Sequence, residues 1–169
     1  MKDNKIKIEY VDVNDIRQYK NNPRQITQKG IDAVANSIIA FGIKQPLVID
    51  SKNVIIVGHT RFLAIQKINN ENKNAIKKVP CIRAEDLSKK EVEAYRLADN
   101  KTNEFSLWDD DLLAIELDKL DDFKMEDFGF DAPELEDLKE EAEDTGEEGI
   151  NVKEGKKVIC PNCGFEYEV

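Results

Sequence analysis

Short apolar runs and one long amphipathic stretch alternate along the first hundred residues. Residues 6–11 alternate polar and apolar positions, which predicts a half-buried strand. One face of a helix is marked by apolar residues at helical spacing, Ile31, Val34, Ala35 and Ile38. Thr27 is placed to cap the start of this helix, and Gly42 can end it in a left-handed conformation before Pro46 forbids its continuation.

A predicted hairpin follows this helix. Residues 47–49 and 54–57 are short β-branched runs, and the turn-forming residues 50–53 separate them. The other elements expected in this half are a helix over 60–68, a strand over 79–82 and a helix from the capping box of Ser88 and Glu91 to about Ala98. Strands and helices therefore alternate, which is typical of a mixed α and β fold.

The second part of the chain is acidic and helical in pattern. Residues 1–105 carry 19 Lys and Arg against 13 Asp and Glu, whereas residues 106–169 carry 6 against 22. Leucines after Trp108 predict a helix that starts near Asp109, and Asp131-Ala132-Pro133 is typical of another helix start. Residues 141–157 offer little to bury and are expected to form a flexible linker. The excess of negative charge in residues 106–169 disfavours wide contact with duplex DNA, so we expect weak, non-specific nucleic-acid contact at most.

Length and hydropathy limit the classes of protein further. A chain of 169 residues with 40% hydrophobic content can bury one ordinary core plus an appendage. No apolar run approaches the roughly 20 residues that cross a bilayer, and the first ten residues lack the apolar centre of a signal peptide. We therefore expect a cytoplasmic protein with no membrane partner.

A candidate phosphate site lies where the apolar run 54–57 meets the next helix. Gly58 allows an anion to approach backbone N–H groups at the helix start, and His59 and Arg61 lie on either side of Thr60 there. Arginine presents a planar set of donors that matches phosphate oxygens. His59 is the only histidine, and if its imidazolium contacted phosphate, binding would weaken as the pH rises from about 6 to 8. The structural alternative is that His59 caps the turn and Arg61 pairs with a carboxylate.

The run NPRQITQKGIDAVANSIIAFGIKQPLVIDSKNVIIVGHTRFLAIQKI resembles the amino-terminal domain of the ParB chromosome-partition family, and the likeness extends to about Asn103. That resemblance implies an α+β fold of the ParB/sulfiredoxin superfamily, with a mixed sheet and packed helices. Residues 42–46 match a G-x-x-Q-P motif, residues 58–64 match G-E-R-R-x-x-A with substitutions, and residues 99–103 match E-N-x-x-R weakly. The sulfiredoxin activity itself is excluded, because no thiol lies at residues 59 or 60.

In that family the three motifs together enclose a cytidine nucleotide and magnesium. The resemblance thus implies that CTP or another nucleoside triphosphate binds here, with contacts from Gly42, Gln45, Pro46, Gly58, His59, Thr60, Arg61, Asn100 and Lys101. Asp99 and Asn100 are the implied magnesium ligands, and their alternative role is to end a helix. His59 and Thr60 stand where the family has Glu and Arg, so binding is expected to survive better than hydrolysis.

The segment from residue 84 to residue 117 resembles a phage and mobile-element subgroup whose members are attached to, or encoded near, DNA methyltransferases. The leading hypothesis is a nucleotide-binding switch or adaptor for a DNA modification, partition or packaging protein. The alternatives are an enzyme of the same fold that transfers or hydrolyses a phosphoryl group, such as a weak CTPase, a kinase or a nuclease, and an interaction module with a vestigial pocket. No helix-turn-helix unit is evident, which argues against site-specific DNA recognition by this chain alone.

The last twelve residues carry a metal-binding pattern. The spacing of Cys160 and Cys163, followed by Gly164, resembles one knuckle of a zinc ribbon, because a two-residue spacer lets both thiolates reach one ion. Structural zinc takes four ligands, so two chains can pool their thiolates and form a homodimer; a partner's half-site or a metal-free relic are the alternatives. The predicted organisation is a nucleotide-binding domain over 1–105, an acidic helical extension over 106–140, the linker over 141–157 and a zinc-knuckle tail over 158–169.

Overall fold

The computed structural model describes residues 6–71, 75–120, 122–130, 157–159 and 166–168. Its strands are β1 (Ile8–Asp12), β2 (Leu47–Ile49), β3 (Ile55–Val57), β4 (Lys78–Arg83), β5 (Lys157–Ile159) and β6 (Glu166–Glu168). Its α-helices are α1 (Gln28–Phe41), α2 (His59–Glu71), α3 (Lys89–Thr102) and α4 (Asp110–Asp118). The α+β class predicted from the sequence is confirmed.

The main sheet is mixed, with the strand order β1-β4-β2-β3. β4 is antiparallel to β1 and parallel to β2, and the hairpin predicted for β2 and β3 is present. Because β2 lies between β4 and β3, the strand that leads into α2 is at an edge of the sheet. The end of β3 and the start of α2 therefore lie at this edge of the sheet, next to the segment at Arg17 that bridges to Val54.

The core lies between one face of this sheet and the helices α1 and α2. The strands contribute side chains that are fully buried, namely Leu47, Ile49, Ile55, Val79 and Cys81. α2 packs Phe62, Ile65 and Ile68 against them, and α1 adds Ala35 and Ile38. Ala35 and Ile38 belong to the helix face predicted from the sequence, so the 3.6-residue period correctly identified the buried side of α1.

Local capping signals set the starts of three helices. The side chains of Thr27, Ser88 and Asp109 each accept a hydrogen bond from a backbone N–H in the first turn of the following helix. Glu91 completes the predicted capping box by accepting the Ser88 N–H at 2.8 Å. The boundaries differ modestly: α2 begins at His59 rather than residue 60, and α3 continues to Thr102, past the expected end at Ala98.

Gly42 ends α1 as expected, but not in the expected conformation. Its N–H donates to the Ile38 carbonyl at 2.8 Å, and its φ is 76° with a ψ of 174°. A left-handed helical residue would have a ψ near 47°. The chain therefore leaves the helix in an extended direction, in a backbone region that is essentially restricted to glycine.

The acidic extension packs against α1 with aromatic side chains. The ring centroids of Phe41 and Phe123 are 5.8 Å apart, and those of Phe41 and Phe128 are 5.4 Å apart. Asn36 donates from Nδ2 to the Asp127 carbonyl at 2.8 Å. Residues 123–128 are thus held to the face of α1 by both apolar and polar contacts.

The strands β5 and β6 form a separate antiparallel pair. Cys160 and Cys163, the helix start at Pro133 and residues 141–156 of the predicted linker lie outside the described residues, so these predictions are not tested by the fold. Within the described ranges, no helix has the length and apolar content needed to cross a bilayer.

Candidate functional site

A pocket of about 230 Å³ opens beside the junction of β3 and α2. Three separate parts of the chain form it: the loop before α1, the β3–α2 junction and the last turns of α3. Its lining residues are Asn22, Arg24, Ile26, residues 56–61, Asp99, Asn100 and Asn103. The parallel β2–β4 pairing and the β2–β3 hairpin bring the junction to this side of the sheet.

Gly58 cannot be replaced without disturbing this junction. Its φ is +100°, and a Cβ atom there would lie 2.6 Å from Leu47 Cδ2 and 3.0 Å from Arg61 Nη1. Leu47 is fully buried, so it has little room to move. The sequence pattern predicted that an anion could approach the backbone at this glycine, which stays a prediction; the groups that lie close to it in the structure are a core side chain and a pocket arginine.

The start of α2 lines the pocket, and its first backbone N–H groups have no hydrogen-bond partner among the residues that the structure describes. The first intrahelical bond runs from the Phe62 N–H to the Gly58 carbonyl at 3.0 Å. The N–H groups of residues 59–61 therefore have no partner in a preceding helical turn. Together with the helix dipole, they favour an anion at this end of the pocket.

Arg61 lies at the edge of the pocket and is held in place by the segment before β2. Its Nη1 donates to the Pro46 carbonyl at 3.1 Å, and its Nη2 bonds to Gln45 Oε1. Burial lowers the pKa of Arg61, and the nearby Asp99 carboxylate opposes that change. The guanidinium therefore remains charged, and its orientation is fixed before any ligand arrives.

His59 also lines the pocket, but its chemistry is that of a neutral imidazole. It is 7% exposed, and its Nε2 accepts the Tyr19 N–H at 3.4 Å. Burial, and then the charge of Arg96, lower the pKa of His59 below its ordinary value of 6.5. The positive charge that the sequence argument considered for His59 is therefore disfavoured, whereas its position in the pocket agrees with that argument.

Arg24 is a pocket residue that the sequence argument missed. It is exposed, and its Nη1 lies 3.3 Å from Asn100 Oδ1 and 3.4 Å from the Asn100 carbonyl. Asn22 Oδ1 accepts the Arg24 N–H at 3.3 Å, which holds the loop in a turn. The only sequence signal was an arginine directly after Asn22-Pro23, and nothing local indicates that it faces residues 76 positions later.

Asp99 and Asn100 do reach the pocket, in different roles. Asn100 Nδ2 donates to the Arg96 carbonyl at 2.8 Å, and its Oδ1 accepts from Arg24. Both ends of its amide are therefore engaged. Asp99 supplies a half-buried carboxylate, and Mg²⁺ in proteins is commonly held by one or two carboxylates together with waters and phosphate oxygens. The donor set thus fits a magnesium ion on Asp99, and it fits Asn100 better as a residue that orients Arg24.

Some predicted residues lie outside the pocket wall. Gln45 and Pro46 bond to Arg61, and Gly42, which ends α1, is not among the lining residues. Lys101 Nζ bonds Glu104 at 2.6 Å and lies 5.6 Å from the Phe105 ring centroid. Lys101 is thus the predicted contact that the geometry supports least.

The described residues offer no metal site built from several side chains. No group of three or more His, Cys, Asp or Glu side chains there is arranged to hold a metal ion. Cys81 is fully buried, and burial raises the pKa of its thiol to about 11. This thiol therefore behaves as a small apolar core residue.

Comparison with known proteins gives both sequence and structural matches. A family model described as the ParB N-terminal domain matches residues 1–101. The ParB-like nuclease domain-containing protein YnaK of Escherichia coli (strain K12) is 31% identical over 68 residues, which are 40% of this chain and 78% of that protein.

Two crystal structures of the C-terminally truncated chromosome-partitioning protein ParB from Caulobacter crescentus are also similar. The complex with CTP-gamma-S has a TM-score of 0.61 at 16% identity, and the match covers 78% of this chain and 76% of that chain. The complex with the centromeric parS site has a TM-score of 0.44 at 15% identity, over 77% of this chain and 69% of that chain. At these identities the first match shows a shared fold.

Proposed function

Because the chain belongs to the ParB N-terminal domain family, we propose that it is a nucleotide-binding module whose pocket at the start of α2 takes a nucleoside triphosphate with magnesium. The observation that carries this proposal is the convergence of two guanidinium groups, from Arg24 and Arg61, on a helix start with unpaired N–H groups. Each of these features favours phosphate oxygens, and they come from two segments that are far apart in sequence, the loop before α1 and the start of α2.

Each pocket residue has a distinct role in this proposal. Gly58 lets the phosphates approach the backbone, Arg61 and Arg24 bind their oxygens, and Thr60 offers a hydroxyl. When bound, magnesium would neutralise phosphate charge, with Asp99 as its protein ligand. Gln45 acts by orienting Arg61, since both are joined by a hydrogen bond.

CTP is the first nucleotide to test. The support is the shared fold with a partition protein that was crystallised with CTP-gamma-S, together with the sequence motifs of the family. We further propose that nucleotide occupancy acts as a switch for a partner that modifies, partitions or packages DNA, a DNA methyltransferase being one candidate. Weak and non-specific contact with DNA itself would follow from the modest positive charge of residues 1–105.

A second candidate is an enzyme of the same fold that hydrolyses or transfers a phosphoryl group. The observation in its favour is His59, because a neutral imidazole that lines the pocket is in the protonation state of a general base. It ranks second because Nε2 of His59 already accepts the Tyr19 N–H, so the base would have to act through Nδ1 or exchange that partner.

The test is calorimetric titration of the full chain with CTP, UTP, ATP and GTP, each with magnesium. We expect saturable binding of one triphosphate, weakened about 10- to 150-fold in Arg24→Ala, which is the loss expected for one charged hydrogen bond of about 1.5 to 3 kcal/mol. Arg61→Ala should abolish binding, although its contacts with Pro46 make it the less clean variant.

Arg17→Ala is the matched control for Arg24→Ala. Arg17 is also exposed, but its guanidinium bonds the Lys52 carbonyl at 2.8 Å, outside the pocket. The affinity of the Arg17→Ala variant for the triphosphate should equal that of the wild type. Absence of saturable binding for all four triphosphates would reject the nucleotide proposal and leave the interaction module, while release of inorganic phosphate at a steady rate would favour the enzyme.

The carboxyl-terminal tail supports a separate proposal about assembly. Cys160 and Cys163 of two chains would together hold one zinc ion, which would make the protein a homodimer through its tails. The support is the two-residue spacing of the thiols, and four thiolates satisfy the tetrahedral preference of zinc.

A further inference from the structure

Helix α3 is attached to the body of the protein by a charged residue. Arg96 is the buried residue among the fourteen of α3, with only 5% of its surface exposed. The apolar neighbours Tyr95 and Leu97 are 38% and 58% exposed. The position of this helix therefore depends on one guanidinium group to an unusual degree, since helices generally pack through an apolar stripe.

The guanidinium of Arg96 is held by an aromatic ring. Its Cζ lies 3.7 Å from the ring centroid of Tyr19, which is a close cation–π stack. Its buried Nε has no hydrogen-bond partner in the described part of the chain. A buried polar group without a partner is rare, and it calls for a reason other than stability.

The surroundings of Arg96 connect it to two sides of the pocket. Its own carbonyl accepts from Asn100, whose Oδ1 in turn meets Arg24 at 3.3 Å. The residue beneath its guanidinium, Tyr19, donates its N–H to His59. Arg96 thus joins two walls of the pocket: its backbone carbonyl holds Asn100 on the α3 side, and its guanidinium stacks on Tyr19, whose N–H bonds His59 on the α2 side.

We propose that Arg96 is a positioning residue for the nucleotide site, which fixes the last turns of α3 against the loop that carries Tyr19 and Arg24. This inference rests on the proposed function, because the ligand it serves is the proposed triphosphate. Arg96 is not itself a lining residue of the pocket, and it acts through Asn100, which its carbonyl contacts, and through Tyr19, on which its guanidinium stacks.

The charge of Arg96 also provides a readout that needs no ligand. The charged residues near His59 are Arg24 from the loop, Arg61 from its own helix and Asp99 from α3, which line the same pocket, together with Arg96 from α3. Of these, Arg96 is the one that lowers the pKa of His59, next to the larger effect of burial. Since His59 is the only histidine in the chain, its imidazole signals can be followed by NMR without ambiguity.

The experiment compares Arg96→Met, Arg96→Lys and the control Leu97→Met in the full chain. Leu97→Met places the same new side chain on the exposed neighbour of Arg96. We expect Arg96→Met to raise the pKa of His59, to speed amide exchange in α3 and to weaken triphosphate binding about tenfold, as is typical when a supporting residue is lost. Arg96→Lys keeps the charge but loses the planar stack, so it should keep the low pKa of His59 and still weaken binding.

The outcomes separate this inference from the proposed function. If the wild type binds no triphosphate, the nucleotide proposal fails, whereas the His59 titration and the α3 exchange still decide whether Arg96 holds the helix. If Arg96→Met does not fold, the affinity and amide exchange of Arg96→Lys decide whether Arg96 positions the helix. Variants at Arg96 that match Leu97→Met in affinity, amide exchange and His59 titration would overturn the positioning role.

Discussion

Replacing Gly58 by alanine should destabilise the fold more than the same replacement at Gly42. Both glycines have a positive φ, +100° and +76°, so alanine is strained at either position. The space around them differs. A Cβ at Gly58 would lie 2.6 Å from Leu47 Cδ2, whereas a Cβ at Gly42 would meet nothing within 4 Å.

The difference between the two variants isolates the close contact. Alanine in such a backbone conformation destabilises the fold by about 1 to 3 kcal/mol. Alanine also lowers the conformational entropy of the unfolded chain, and this stabilising effect is the same in both variants. Overpacking against the buried Leu47 adds about 1 to 3 kcal/mol at Gly58 alone. The Arg61 guanidinium, 3.0 Å from the new Cβ, must also move, so the pocket should be disturbed as well.

Urea unfolding followed by circular dichroism measures both variants. With a slope of about 2 kcal/mol per molar urea, the midpoint of Gly58→Ala should lie about 0.5 to 1.5 M below that of Gly42→Ala. Triphosphate affinity should fall in Gly58→Ala and stay near the wild-type value in Gly42→Ala. Equal midpoints for the two variants would refute the reasoning from close packing at Gly58.

Three further predictions concern the histidine, the tail and the electrostatics. Because the pKa of His59 is lowered in the folded state, the unfolded chain binds a proton before the folded chain does as the pH falls below about 6.5. The free energy of unfolding should then decrease by up to about 1.4 kcal/mol per pH unit until His59 of the folded chain is protonated. Urea titrations of His59→Gln should lack this slope. Protein purified under reducing conditions should be a dimer with about 0.5 zinc per chain, and Cys163→Ser should lose both the zinc and the dimer. A wild-type protein that is monomeric and free of zinc would contradict the shared site. Duplex DNA should bind weakly, without sequence preference and less as salt increases, so tight site-specific binding would contradict the charge argument.

Local features of the fold could be predicted from short stretches of the sequence. Caps at Thr27, Ser88 and Asp109 were readable because a side-chain oxygen bonds N–H groups only two or three residues away. The strand, the glycine and the helix around Gly58 could be predicted as well, because each depends on neighbouring residues in the sequence. The strand-to-helix junction of the candidate site and the mixed α and β class could thus be predicted from short segments, and the motifs supplied the family.

Contacts between distant segments are visible only in the folded chain. Arg24 reaches Asn100, Arg96 stacks on Tyr19, and residues 123–128 pack on α1, because the order of the sheet strands and the packing of the helices bring these segments together. Periodicity identifies a buried face but not its neighbour, so none of these contacts has a local signal. The neutral state of His59 follows the same logic, since it is set by burial and by Arg96, 37 positions further along the chain.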